Sequence, residues 1–187
     1  MTALRVKALE KPAEGPAIWL DVLRLGVVLV AVLVLQTAIA PNVRILGANP
    51  DFVLIAVVSV ALLRGAEIGA AFGFVAGGLV SIVLFEPAGI TSLTLVVVGY
   101  LAGRFAETAD LSSDVAPVFA VFVASVVGEM LYALAQFLLG RQVPVWYLTT
   151  RVVIPVVVLD TLLAAPVYLV ARWFMRGERH ARTAEAR

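Results

Sequence analysis

The reading of the fold turns on Asn49–Arg104, NPDFVLIAVVSVALLRGAEIGAAFGFVAGGLVSIVLFEPAGITSLTLVVVGYLAGR. Three apolar runs are cut there by single charged or turn-forming clusters. The second run carries Gly65, Gly69, Gly73 and Gly77, each four residues after the last. A helix turns about 100° per residue, so a four-residue step returns nearly to the same face. These glycines predict one smooth stripe where another backbone can approach, the small-xxx-small pattern of packed membrane helices. In a soluble helix each would cost about 1 kcal/mol relative to Ala without return.

The composition of the whole chain agrees. Of 187 residues, 62% are hydrophobic and 14% charged, and the mean hydropathy is +1.03. Soluble domains average about 45–50% apolar and about 25% charged residues. An all-α polytopic membrane protein is therefore predicted. The net charge of +1 says little about partners, and no nucleic-acid partner is expected. With no cysteine there is no disulfide frame, thiolate metal site or thiol nucleophile. The single histidine, His180, falls in a charged tail and reads as a solvated residue.

Six apolar runs follow one another along the chain. Residues 1–16 read as a flexible arm, 17–174 as a six-helix transmembrane domain, and 175–187 as a basic tail. The first run, Leu20 to Ala40, has the roughly 20 residues that cross a core of about 30 Å. Its Ala38-Ile39-Ala40 resembles a signal-cleavage site only weakly, because further runs come after it. The second run, Phe52 to Leu63, covers about 18 Å of that core. It is expected to cross with Asp51 and Arg64 in the headgroup zones and the bilayer locally thinned, a re-entrant hairpin being the alternative. The third run is Ile68–Phe85, and Glu86-Pro-Ala-Gly89 is a turn before the fourth, Ile90–Ala102. A charged loop, Gly103 to Asp114, precedes the fifth, Val115–Leu139, and the sixth is Val152–Trp173. Trp146, Tyr147 and Trp173 fall at run edges, where amphipathic rings favour the interface.

Six crossings put both termini on one side. Eleven Lys and Arg residues fall on that side (Arg5, Lys7, Lys11, Arg24, Arg64, Arg104, Arg172, Arg176, Arg179, Arg182, Arg187) against three on the other (Arg44, Arg141, Arg151). The positive-inside rule then places both termini in the cytoplasm.

Two carboxyl groups lie deep in apolar runs, Glu129 in the fifth and Asp160 in the sixth. An Asp at a helix centre costs roughly 2.5–3.5 kcal/mol to insert, so each is expected to face protein or water. Ser125, Glu129, Tyr132 and Gln136 step by four, three and four along one polar face. Pro155 and Pro166 flank Asp160 and loosen its helix. Three roles stay open for these groups: a protonated or hydroxyl-bonded packing element, the lining of a polar cavity or partner contact, and a proton or substrate pathway.

Catalytic chemistry finds no footing. No His accompanies a Ser at depth, no metal cluster can be built, and there is no P-loop or redox-cofactor motif. No catalytic, cofactor or metal site is expected, and the chain reads as a non-enzyme.

The central stretch resembles the MreD family of bacterial rod-shape-determining membrane proteins. The matching pieces are Pro50-Asp51 before a short apolar run, Leu62-Leu63-Arg64-Gly65, Gly69, Gly73-Phe74 and Gly77. Gly89-Ile90-Thr91-Ser92-Leu93 and Val98-Gly99-Tyr100-Leu101-Ala102-Gly103-Arg104 follow. Two positions depart from it. Many members carry an acidic residue late in the third run, where this chain has Ser81, and many carry Asn in the last run, where this chain has Asp160.

The resemblance implies a membrane scaffold of the cell-elongation machinery in the bacterial cytoplasmic membrane, supporting peptidoglycan synthesis and cell shape. It implies an MreC-like bitopic partner, with a RodA-type glycosyltransferase, its transpeptidase and, indirectly, an MreB filament beyond it. The family is also similar in architecture to the substrate-binding subunits of energy-coupling-factor transporters. A small-molecule transporter subunit, with Glu129, Gln136 and Asp160 lining a pocket, is therefore the alternative function. Gly65, Gly69, Gly73, Gly77, Gly99 and Gly103 are expected either to pack helices internally or to meet a partner. A homodimer is left open.

Overall fold

The computed structural model describes residues 16–43, 48–85, 89–109, 115–140 and 153–175, and among them all regular structure is helical. The expected arm before residue 16, the tail from residue 176 with His180, and the edge pair Trp146-Tyr147 lie outside the described residues. So do the outer-side Arg44, Arg141 and Arg151. Six α-helices are described: α1 Pro16–Val34, α2 Phe52–Arg64, α3 Ala66–Val83, α4 Ile90–Thr108, α5 Val115–Leu138 and α6 Ile154–Met175. Five segments are long and apolar enough to cross a membrane, the first being Trp19–Asn42, while α2 is a shorter apolar helix of 13 residues.

The shortest helix is the centre of the bundle. Every residue of α2 from Phe52 to Leu62 is buried, and α2 packs against each of the other five helices. A helix apolar all round is stable only when enclosed on all sides, and the unbroken FVLIAVVSVALL meets that condition. Ile55, Val57, Val58 and Val60 are fully enclosed, and Ser59 returns its hydroxyl to Ile55 O at 2.8 Å. The longer helices keep one face on this core and leave the other exposed, with Phe74, Ile82, Leu93, Phe122, Met130 and Leu162 pointing outward. Exposed apolar faces on long helices around a buried apolar centre are the arrangement of a polytopic membrane protein.

The α3–α4 contact is the closest in the fold, and glycine makes it so. A Cβ on Gly69 would stand 2.8 Å from Gly99 O, and one on Gly77 would stand 2.5 Å from Ser92 Cα. On Gly73 it would overlap the Leu95 carbonyl, on Gly99 the Gly69 carbonyl, and on Gly103 the backbone of Ala66. Three glycines of α3 and two of α4 thus line the touching backbones, with Gly69 and Gly99 directly opposite each other. Gly128 of α5 instead faces the tip of the Leu54 side chain of α2, where a Cβ would stand 2.8 Å from Leu54 Cδ1.

Gly65 departs from the expected stripe. Helix α2 ends at Arg64 and α3 begins at Ala66, so Gly65 belongs to neither. Its φ of +93° and ψ of 178° make it a one-residue joint between two helices, a conformation open essentially only to glycine. Nothing lies within 4 Å of a Cβ built there. The spacing matches the stripe, but the helix does not extend to it.

Three alanine substitutions separate these causes. Gly73→Ala is expected to lose about 1–3 kcal/mol through overpacking against Leu95, and Gly65→Ala about 1–3 kcal/mol through backbone strain alone. Gly26→Ala, on a helical and unobstructed site of α1, is expected to be neutral or to gain up to about 1 kcal/mol. Thermal unfolding of the purified protein in one detergent ranks the three, and equal losses at Gly26 and Gly73 contradict the packing account.

Candidate functional site

The N-terminus of a helix leaves four backbone N–H groups without intrahelical partners. For α2 those groups lie inside the bundle, because Pro50 is fully buried and Phe52, Val53 and Leu54 are buried as well. Side chains from three helices, or from the residues just preceding them, satisfy all four. Asp51 is the N-cap, and its Oδ1 accepts from Val53 N at 3.0 Å and Leu54 N at 2.9 Å. Gln36 Oε1, from the end of the first segment, accepts from Phe52 N at 2.9 Å. Asp160 Oδ1, from α6, accepts from the N–H of Asp51 itself at 2.8 Å. The first helical bond, Ile55 N to Asp51 O at 3.2 Å, follows at once.

Asp160 is completely enclosed, and its second oxygen is also engaged. Ser125 Oγ on α5, itself fully buried, donates to Asp160 Oδ2 at 2.8 Å. One carboxyl group therefore joins α2, α5 and α6. The positive end of the α2 dipole faces it, an arrangement that favours negative charge at that point. Asp160 is the seventh of the 22 residues of α6.

Glu129 is half-buried one turn beyond Ser125, within electrostatic reach of Asp51 and Asp160. Tyr132 and Gln136 continue the same face and are half-buried too. The structure thus draws Ser125, Glu129 and Asp160 from the expected polar set together around Asp51. Among the described residues, no group of three or more His, Cys, Asp and Glu side chains could hold a metal ion.

Two participants escaped sequence reasoning. Gln36 sits in an apolar run where a single amide looks incidental. It is aimed inward by a π-helical turn, Leu35–Ile39, which widens the helix by one residue per turn. The other is Asp21 at the opposite end of α1. Arg64 at the C-terminus of α2 donates from both terminal nitrogens to the two Asp21 oxygens, each at 3.0 Å. The pair is largely buried, with side-chain exposures of 15% and 23%. A short buried helix opened by Pro50-Asp51 and closed by Arg64 carries a signal that partners must exist at both ends. Spacing along the chain does not say where they are. Arg104, by contrast, is exposed and pairs with Glu107 one turn on.

The Asp160 junction predicts a graded response. Asp160→Ala leaves the Asp51 N–H buried and unpaired, at a cost of about 1–3 kcal/mol for that group, and strips Ser125 of its acceptor. Asp160→Asn keeps an acceptor for Asp51 and offers an N–H to Ser125 Oγ, so it is expected to lose less than half as much. Thermal unfolding of the two variants beside Ser125→Ala gives the order, and an Asn variant as unstable as the Ala variant contradicts the capping role.

Comparison with protein families matches residues 19–177 to the family model of rod shape-determining protein MreD. No curated protein matches the chain. The matched span covers α1 from Trp19 onward, the other five helices whole, and the junction at the start of α2. It takes in most of the 187 residues, and the all-helical, membrane-spanning architecture suits it: the chain belongs to the MreD family of rod shape-determining membrane proteins.

Proposed function

We propose that this protein is a scaffold of the bacterial cell-elongation machinery, holding an MreC-like bitopic partner in the cytoplasmic membrane and so supporting peptidoglycan synthesis along the cell wall. The family match over residues 19–177 carries the reading. Beyond that partner the scaffold connects to a RodA-type glycosyltransferase with its transpeptidase, and indirectly to an MreB filament. The distribution of eleven Lys and Arg residues against three supports cytoplasmic termini. The enclosure of the short, apolar α2 by its longer neighbours supports a position for it within the membrane.

The way the polar groups are engaged supports scaffolding over solute binding. A pocket for a small solute needs polar side chains free to turn toward a ligand. Here Asp160 is engaged by the start of α2 and by Ser125, and Gln36 by the Phe52 N–H, while of the side chains that a solute pocket would use Gln136 keeps its Oε1 buried without a hydrogen-bond partner among the described residues. The touching backbones of α3 and α4 likewise consume Gly69, Gly73, Gly77, Gly99 and Gly103 within the bundle. A partner's transmembrane helix therefore meets the exposed apolar faces of the outer helices and not the glycine stripe.

Photo-crosslinking residues placed singly at Val30, Val75, Tyr100, Phe122 and Val158, all exposed, sample those faces. In native membranes one face is expected to capture a bitopic elongation protein. Depleting the protein is expected to turn rods into rounded cells. Cells that keep their shape on depletion, with no such capture at any position, contradict the scaffold reading.

A further inference from the structure

Helix α1 is attached unlike the other helices. Of its described side chains from Trp19 to Val34 none is fully buried, whereas every other long helix buries between 28% and 44% of its best apolar window. Its inner face lays Leu25, Val28, Leu29, Val32 and Leu33 against the core without sinking into it. Polar ties of the Trp19–Asn42 segment run to the two ends of α2: Asp21 to Arg64, and Gln36 to the Phe52 N–H.

The two ends differ in kind. At the Gln36 end the helix passes through the π-turn Leu35–Ile39 and then a 3-10 turn, Ala40–Asn42. Ala40 is the one fully buried residue of the Trp19–Asn42 segment. Carbonyls loosened by the change of pitch are met locally: Thr37 Oγ1 donates to Leu33 O at 2.8 Å, and Asn42 Nδ2 to Ala38 O at 2.7 Å. A change of helical pitch with its own hydrogen bonding, next to a buried anchor, can bend while remaining attached. At the other end the tie is a two-pronged ion pair between long side chains, with open apolar surface around Trp19, Leu20 and Leu23.

We propose that α1 is a hinged strap: it pivots at Leu35–Asn42 and is closed onto the bundle by the Asp21–Arg64 clasp. Opening the clasp swings the Asp21 end outward and uncovers the flank of the core beneath Leu25, Val28 and Leu29, while the Gln36 tie and the cap of α2 stay in place. Because the chain preceding α1 is joined to the moving end, a force or partner acting there sets the strap. The inference rests on the attachment of α1 alone and stands apart from the scaffold reading.

Distances between paired spin labels test it, and the absence of native cysteine makes labelling clean. One pair, Leu20→Cys with Trp173→Cys, reads the clasp end. The other, Val34→Cys with Ile154→Cys, reads the pivot end, and all four positions are exposed. Asp21→Ala combined with Arg64→Met removes both charges together, so neither is left buried alone. In the full-length protein in lipid nanodiscs, this double variant is expected to broaden and lengthen the Leu20–Trp173 distribution and leave the Val34–Ile154 one unchanged. Exchanging the charges, Asp21→Arg with Arg64→Asp, is expected to restore the narrow distribution. A double variant with a wild-type Leu20–Trp173 distribution overturns the clasp, as does a charge exchange that fails to restore it. Equal broadening at both ends overturns the pivot.

Discussion

A buried helix end needs hydrogen-bond partners, and in the hydrocarbon interior no water supplies them. That constraint on α2 governs the rest of the structure. Its thirteen residues span about 20 Å, less than the roughly 30 Å of a bilayer core, and its apolar surface requires enclosure. Four N–H groups are consequently stranded among apolar neighbours, each worth several kcal/mol if left unpaired in lipid. The solution uses the side chains of Asp51, Gln36 and Asp160, with Asp160 lying 109 residues beyond the Asp51 whose N–H it accepts. Tertiary structure is thus required for a single helix to begin, and the bundle and its central helix stabilise each other.

The second organising contact is of another kind. Between α3 and α4 the attraction is dispersion between backbones that touch because no side chain intervenes, which is the leading force available where lipid tails are as apolar as the core. The one-residue joint at Gly65 sets α3 directly after α2, and the α3 glycines then bring α4 in. From Asp51 to Gly103 the chain therefore builds a rigid three-helix frame out of two devices, a polar cap and a glycine seam. Helices α5 and α6 join it through Gly128 against Leu54 and through the Ser125–Asp160–Asp51 junction.

What could be read from the sequence divides along the range of the interactions. Apolar runs are local, and all six reappear as helices. Four-residue glycine spacing is local too, and it foretells the close α3–α4 approach at Gly69, Gly73 and Gly77. The same spacing misleads at Gly65, because periodicity does not reveal that the helix stops one residue earlier. The depth of Asp160 and Ser125 was evident from hydropathy, yet their meeting was not: they are 35 residues apart on different helices. Gln36 was the hardest to see. Its role depends on a π-turn that no residue pattern in LQTAI marks and on a backbone N–H as its partner, which leaves no trace in side-chain chemistry.

The departure at Asp160, from the Asn that the family resemblance leads one to expect, takes on a physical meaning here. The position needs one acceptor for the Asp51 N–H and one group compatible with a serine hydroxyl. An amide meets both needs as well as a carboxylate does, the second by donating where the carboxylate accepts. The two residues are therefore interchangeable in hydrogen bonding but not in charge. A carboxylate additionally interacts favourably with the positive end of α2 and unfavourably with Glu129 and Asp51 nearby. The role common to both side chains is holding the start of α2 in place, and a fixed frame is what a scaffold must supply before any partner can be positioned on it.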